Sequence, residues 1–175
     1  GGYPVTNIGD YAFECCDDLT SVTIPDSVTS IGEGAFYYCS SLTEINVGSG
    51  NQSYSSDDGV LFNKNKTELI CCPGGKSGEY VIPNSVLNIG DLAFAYCRSL
   101  NSVTMPDSVT GIGEGAFYGC ISLTSVIIPD SVLNIGNIAF AGCRSLTSVT
   151  IGDSVTSIGE GAFSECSSLT SVIIP

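Results

Sequence analysis

The sequence contains no histidine and no tryptophan, and only 5 of its 175 residues are lysine or arginine. Histidine is the commonest general base and the usual partner of a serine or cysteine nucleophile, so its absence argues against hydrolase-type catalysis. The basic residues stand against 18 acidic ones, which gives a net charge of -13. Nucleic-acid binding requires clustered lysine and arginine, so this charge excludes nucleic acid as an expected partner.

Long hydrophobic runs are also absent, although 43% of the residues are hydrophobic. No apolar segment is long enough to cross a membrane, so we expect no membrane insertion. The opening residues, GGYPVTNIGD, lack the basic and apolar regions of a secretion signal. The length and the hydrophobic content together suit one domain with a sizeable core.

A motif, Ala-Phe-x-x-Cys, recurs six times along the chain. Its cysteines lie 23 residues apart, except between Cys39 and Cys97, where the interval is 58. The period divides the chain into units 3–25, 26–48, 49–83, 84–106, 107–129, 130–152 and 153–175. Every unit has 23 residues except unit 49–83, which has 35. Such self-similarity predicts a single domain of seven stacked units over residues 1–175, a piece of a longer array.

Within each unit the pattern L-x-x-V-x-I predicts a short strand. In unit 107–129 this strand turns Leu123, Val126 and Ile128 to one side and Ser125 and Ile127 to the other. The preceding Gly-Ala-Phe segment predicts a short helical or 3-10 turn. We therefore predict an α/β-type solenoid, mostly β, of the leucine-rich-repeat class, with strands on one face and helical turns on the other.

The segment IPDSVTSIGEGAFYYCSSLTEI and its copies resemble BspA-like leucine-rich repeats. Units of that family contain L-x-x-I-x-I-P, S-V-x-x-I-G and A-F-x-x-C, and the family also contains longer irregular units like 49–83. The resemblance covers essentially the whole chain. It implies a cell-surface or secreted protein of host-associated bacteria, and adhesion to host matrix proteins or to other cells.

The nine cysteines include six at one repeat position. Zinc sites use ligands that converge tetrahedrally, whereas these residues are translated along one axis. We therefore predict a buried structural ladder of free thiols, no metal site and no cofactor. The ladder comprises Cys16, Cys39, Cys97, Cys120, Cys143 and Cys166.

Acidic residues form the remaining chemical candidates. Asp17-Asp18 and Asp57-Asp58 are paired carboxylates in polar segments, where hydrated aspartate is the expected state. Asp107, Asp130 and Asp153 repeat at one position and could bind calcium, but they more simply cap their turns. We therefore predict that the protein is not an enzyme and has no catalytic residue.

A partner is expected to bind the outward strand positions, because they form a continuous sheet surface in a solenoid. The irregular unit adds a hairpin in which GVLFN and ELICC flank KNKT, and this hairpin could protrude toward a partner or simply extend one unit. The candidate binding residues on the strands are Ser21, Thr23, Glu44, Asn46, Glu79, Val81, Ser102, Thr104, Ser125, Ile127, Ser148 and Thr150, and those of the irregular unit are Lys64, Lys66 and Lys76.

These observations predict a non-catalytic protein that binds an extracellular protein of a matrix or a cell surface. The alternative is a passive stalk that presents flanking domains, and a calcium- or glycan-dependent binding module is a third candidate. Neither end of the chain carries a polar cap, so we also expect end-to-end self-association of this polypeptide.

Overall fold

The computed structural model describes residues 2–175, and each unit forms one turn of a solenoid with three sides. The described residues contain 16 strands and no helix. The strands are β1 (Asn7–Ile8), β2 (Ser21–Ile24), β3 (Ser30–Ile31), β4 (Glu44–Val47), β5 (Tyr54–Asp57), β6 (Val60–Asn63), β7 (Glu68–Cys71), β8 (Ser77–Val81), β9 (Asn88–Ile89), β10 (Ser99–Thr104), β11 (Gly111–Ile112), β12 (Ser125–Ile128), β13 (Asn134–Ile135), β14 (Ser148–Ile151), β15 (Ser157–Ile158) and β16 (Ser171–Ile173).

The first side consists of the predicted L-x-x-V-x-I strands. They pair in parallel as β2–β4, β8–β10 and β12–β14–β16. The pairing joins equivalent residues of successive units, as for Val126 and Val149. Val126 and Ile128 are buried, whereas Ser125 and Ile127 are exposed, as the alternation predicts.

The second side contains the two-residue strands that end at the isoleucine of each Ile-Gly. One seven-stranded sheet runs in the order β15-β13-β11-β9-β7-β6-β5, and β1 pairs with β3 separately. Each pairing between short strands is parallel and joins equivalent residues, such as Ile112 and Ile135. A strand of two residues is too short to show an alternation of buried and exposed residues in the sequence. Its formation depends on pairing with the neighbouring unit.

The third side is the Ala-Phe-x-x-Cys segment, and here the expectation of helical or 3-10 turns is wrong. Residues on either side of Ala-Phe adopt left-handed conformations, with φ of 57° at Gly115 and 69° at Gly119. Left-handed residues interrupt a right-handed helix. They direct backbone N–H groups toward the next unit instead, so Phe94 N–H donates to the Ala116 carbonyl at 2.7 Å.

The core is a column of identical side chains between the three sides. The rings of Phe94, Phe117 and Phe140 are fully buried and stack nearly parallel, with centroids 4.8 and 4.9 Å apart. In the irregular unit, β6 joins two core clusters, because Leu61 packs into the N-terminal cluster while Val60 and Phe62 pack into the C-terminal one. The interior therefore consists of two clusters, which lie against opposite faces of β6.

The irregular unit contains the predicted hairpin, but the hairpin does not protrude. Strands β6 and β7 pair antiparallel across the turn that follows Asn63. Val60, Leu61 and Phe62 are all 0% exposed. Of the two interpretations, the structure agrees with extension by one unit and not with projection, because the hairpin strands join the seven-stranded sheet.

Truncating the central phenylalanine is expected to lower the free energy of unfolding by about 4 kcal/mol, because Phe117→Ala leaves a cavity and removes two ring stacks. The matched control is Phe13→Ala. Phe13 is 39% exposed and stacks on Phe36 alone, so its loss should be less than half as large. Urea denaturation followed by circular dichroism measures both, and equal losses would contradict the continuous column.

Candidate binding surfaces

The strand face carries the predicted binding residues on adjacent strands. Register pairs Ser21 with Glu44, Glu79 with Ser102, and Ser125 with Ser148. A second row pairs Thr23 with Asn46, Val81 with Thr104, and Ile127 with Thr150. All twelve side chains are exposed except Ser102, which is half-buried. The face therefore presents mostly small, uncharged groups in straight rows.

The irregular unit interrupts this face, which was expected to be continuous. Strands β4 and β8 do not pair with each other. Instead, the turn between β5 and β6 lies beside β4, and Ile45 N–H donates to the Gly59 carbonyl at 2.8 Å. The face consequently consists of three separate sheets, β2–β4, β8–β10 and β12–β14–β16, and this turn lies between the first two.

The three candidate lysines all make contacts within the irregular unit. Lys66 Nζ lies 2.6 Å from Asp57 Oδ2, and Lys76 Nζ lies 2.9 Å from Asp58 Oδ2. Lys64 donates to the Asn51 carbonyl. Their ammonium groups hold this unit together internally, and a role in partner binding stays a prediction.

A different opening lies on the turn side, because unit 49–83 has no Ala-Phe-x-x-Cys segment. Residues of Cys72–Gly75 fill the base of the gap: Cys72 N–H donates to the Ala93 carbonyl at 2.7 Å, and Gly75 N–H to the Leu42 carbonyl at 2.8 Å. The outer part stays open as a cavity of about 200 Å³. Leu61, Ile70 and Cys71 are among the residues that line it.

Tyrosines close around this gap. Tyr37 and Tyr38 come from one side of it and Tyr96 from the other, with ring centroids 5.2 Å apart for Tyr37–Tyr96 and 4.4 Å for Tyr38–Tyr96. The Arg98 guanidinium lies over the rings of Tyr38 and Tyr96, at 4.8 and 5.2 Å from their centroids. Burial and a hydrogen bond with Tyr96 raise the pKa of Tyr37 above its ordinary value, so its phenol stays protonated at neutral pH.

Two further depressions, of about 440 and 430 Å³, adjoin the cavity. Tyr37 and Leu92 line all three openings, which together we call the turn-side groove. The groove was not predicted from the sequence, although the tyrosines just before Cys39 and Cys97 were a visible signal. The 440 Å³ depression is lined by Tyr11, Glu14, Glu33, Tyr37, Leu92, Glu114 and Ile138.

Carboxylates at two repeat positions cap the following unit. Asp10 Oδ1 accepts Glu33 N–H at 3.0 Å, and Asp91 Oδ1 accepts Glu114 N–H at 2.7 Å. At the position considered for calcium, Asp130 Oδ1 accepts Asp153 N–H at 3.0 Å. Within residues 2–175, no three acidic or cysteine side chains are grouped as metal ligands would be. These aspartates thus act as turn caps between units.

The cysteine ladder lies against the phenylalanine column. Cys39, Cys97, Cys120 and Cys143 are buried, Cys16 and Cys166 are half-buried, and all are free thiols. Cys143 Sγ–H donates to the Phe117 carbonyl at 3.2 Å, and burial raises its pKa to about 12. A thiol that stays protonated is neither a nucleophile nor a metal ligand, so the ladder is suited to packing.

No helix among residues 2–175 has the length and apolar character needed to cross a bilayer.

The sequence matches the family model of the BspA type leucine-rich repeat region, in six copies over residues 6–77 and 71–175. The fold is similar to that of a leucine-rich repeat protein from Eubacterium ventriosum, with 36% identity and a TM-score of 0.91, covering 97% of this chain and 45% of that one. No curated protein matches the sequence.

Two further solved structures are similar. The pneumococcal vaccine antigen PcpA has 29% identity and a TM-score of 0.75 over 96% of this chain and 48% of its own. A leucine-rich cell surface protein from Faecalibacterium prausnitzii has 33% identity and a TM-score of 0.73 over 96% of this chain and 51% of its own. This chain thus spans about half the length of the three solved structures.

Proposed function

The chain belongs to the BspA-type leucine-rich repeat family, and we propose that it binds other proteins at a bacterial cell surface or after secretion, as an adhesive array for host matrix proteins or other cells. Its family is generally a non-enzymatic binding or scaffold fold. Two of the similar proteins are described as a vaccine antigen and a cell surface protein, which supports the location proposed.

The observation that carries this proposal is the registered strand face. Equivalent side chains repeat on adjacent parallel strands, as Ser125 and Ser148 do, so one weak contact can be made again on the next unit. Such a face lacks tryptophan, tyrosine and arginine anchors, and its single contacts should therefore be weak. Repetition along the array compensates through avidity.

We expect the purified protein to bind immobilised fibronectin or fibrinogen saturably in interferometry, and Ser125→Arg with Ser148→Arg to weaken that binding about tenfold. Two large cations at adjacent positions would disrupt a flat, uncharged contact. The matched control places two arginines at adjacent positions on the short-strand side, as Asn134→Arg with Ser157→Arg, where both side chains are exposed. The control should bind like the wild type.

If both pairs of arginine substitutions weakened matrix-protein binding equally, that result would contradict a binding site on the strand face. Absence of binding by the wild-type protein to either matrix protein would contradict the adhesive proposal for this segment. That result would favour the alternative, a passive stalk that presents flanking domains.

A further inference from the structure

The turn-side groove differs from the strand face in both shape and charge. In its 440 Å³ depression, carboxylates of Glu14, Glu33 and Glu114 meet the rings of Tyr11 and Tyr37. No lysine or arginine of residues 2–175 lines this depression. Its size is within the range of pockets that enclose a ligand group. An opening with these walls is complementary to a cation.

The aromatic geometry also suits a cation. The Tyr11 and Tyr37 rings stand edge to face with centroids 6.1 Å apart, and the Tyr11 hydroxyl donates to Glu33 Oε1 at 3.3 Å. A ring face with a carboxylate beside it attracts a guanidinium or an ammonium through both the ring quadrupole and its charge. Leu92 adds an apolar wall for the methylene groups of such a side chain.

The same tyrosine cluster already holds a guanidinium of the chain itself. Arg98 lies over Tyr38 and Tyr96, and its Nη2 donates to the Tyr38 hydroxyl at 2.7 Å. On that side the cation is intramolecular. On the Tyr11 and Tyr37 side the surface is aromatic as well, it adds carboxylates, and no cation of the chain is among the described residues that line it.

We propose that the turn-side groove binds an extended, lysine- or arginine-rich segment of a partner protein, with one basic side chain lying over the exposed surface of the Tyr11 and Tyr37 rings, beside Glu33 and Glu114. Charge complementarity selects this occupant, because the groove is acidic in a protein whose net charge is -13. The aromatic walls distinguish this site from a surface that is acidic only. The site is independent of matrix-protein adhesion on the strand face.

The test uses fluorescein-labelled nonalysine and nonaarginine peptides with the full chain, measured by fluorescence anisotropy. Neutralising the groove by Glu33→Gln with Glu114→Gln should weaken peptide binding about tenfold. The carboxamides retain the hydrogen-bond acceptors that Tyr11 and Asn137 use. The matched control, Glu44→Gln with Glu79→Gln on the strand face, makes the same change in net charge and should weaken binding less than about twofold.

A second pair of variants tests the ring. Tyr11 is 42% exposed, so Tyr11→Phe and Tyr11→Leu should both fold. Phenylalanine keeps the ring face and should retain binding, whereas leucine keeps apolar bulk alone and should weaken binding about fivefold. Melting temperatures of all variants confirm that they are folded.

Absence of peptide binding by the wild type overturns the proposal, as does equal weakening by the two glutamine pairs, which would show attraction to net charge alone. Binding of a neutral oligosaccharide that depends on the Tyr11 ring and not on the carboxylates would also overturn it. None of these outcomes depends on fibronectin or fibrinogen, so the two proposals fail separately.

Discussion

Gly136→Ala is expected to lower the free energy of unfolding by about 3 kcal/mol or more, whereas Gly9→Ala should change it by less than about 1 kcal/mol. Both glycines occupy the Ile-Gly position of their units. A Cβ atom at Gly136 would lie 2.5 Å from the Gly113 carbonyl carbon and 2.6 Å from Glu114 N, both of them backbone atoms of the preceding unit. At Gly9 a Cβ atom meets nothing within 4 Å.

The comparison isolates one cause, because substitution and repeat position are the same at both sites. Among the described residues, a Cβ atom meets the backbone of another unit at Gly136 and not at Gly9. Urea denaturation of the two variants and the wild type gives the two differences in free energy of unfolding. Similar losses at both positions would show that the glycine is needed for local conformation, and would contradict the close approach of units.

Alkaline pH is expected to destabilise the protein steeply. Burial raises the pKa of Cys120 and of Cys143, the latter from 9.0 to about 12, while a hydrogen bond with Cys72 and burial raise that of Cys97. Because the folded-state pKa exceeds the unfolded one, this stability is fully present below pH 9 and is lost as the pH rises. Three such thiols lower the free energy of unfolding by about 4 kcal/mol per pH unit above 9.

Thermal unfolding between pH 7 and pH 10.5, with a phosphine reductant to keep thiols reduced, measures this effect. The melting temperature should stay level to about pH 8.5 and then fall. Cys143→Ala removes one titrating group, so the decline of its free energy of unfolding with pH should be smaller by about 1.4 kcal/mol per pH unit. A melting temperature that is the same at pH 8 and pH 10.5 would contradict the burial of protonated thiols.

Much of the regular architecture is predictable from the spacing of residues. The 23-residue period, the strand at Ser125–Ile128 and the burial of Val126 all follow from a pattern that is repeated along the chain. Repetition makes such predictions robust, because each unit has the same neighbours above and below. The family resemblance is likewise confirmed by the match over residues 6–77 and 71–175.

The turn at Ala-Phe-x-x-Cys was predicted as helical because Gly-Ala-Phe can begin a helical turn. The structure places left-handed residues there, and Ile138, with φ of 47°, shows that even a β-branched residue is held in this conformation. The local helical propensity is overridden, because the hydrogen bonds to the next unit require alternate backbone N–H groups to point along the solenoid axis. This requirement comes from the stacking of units, so it cannot be recognised in the sequence of a single unit.

The period, the strand side and the family follow from the sequence alone, since all of these depend on spacing within a repeating unit. The second sheet, the interrupted strand face and the turn-side groove arise only when the units pack against one another. The groove exists because one unit lacks its turn, which brings Tyr37 and Tyr96 into contact across the gap. Contacts between residues so distant in the chain are set by how the irregular unit packs, and packing is a property of the whole stack.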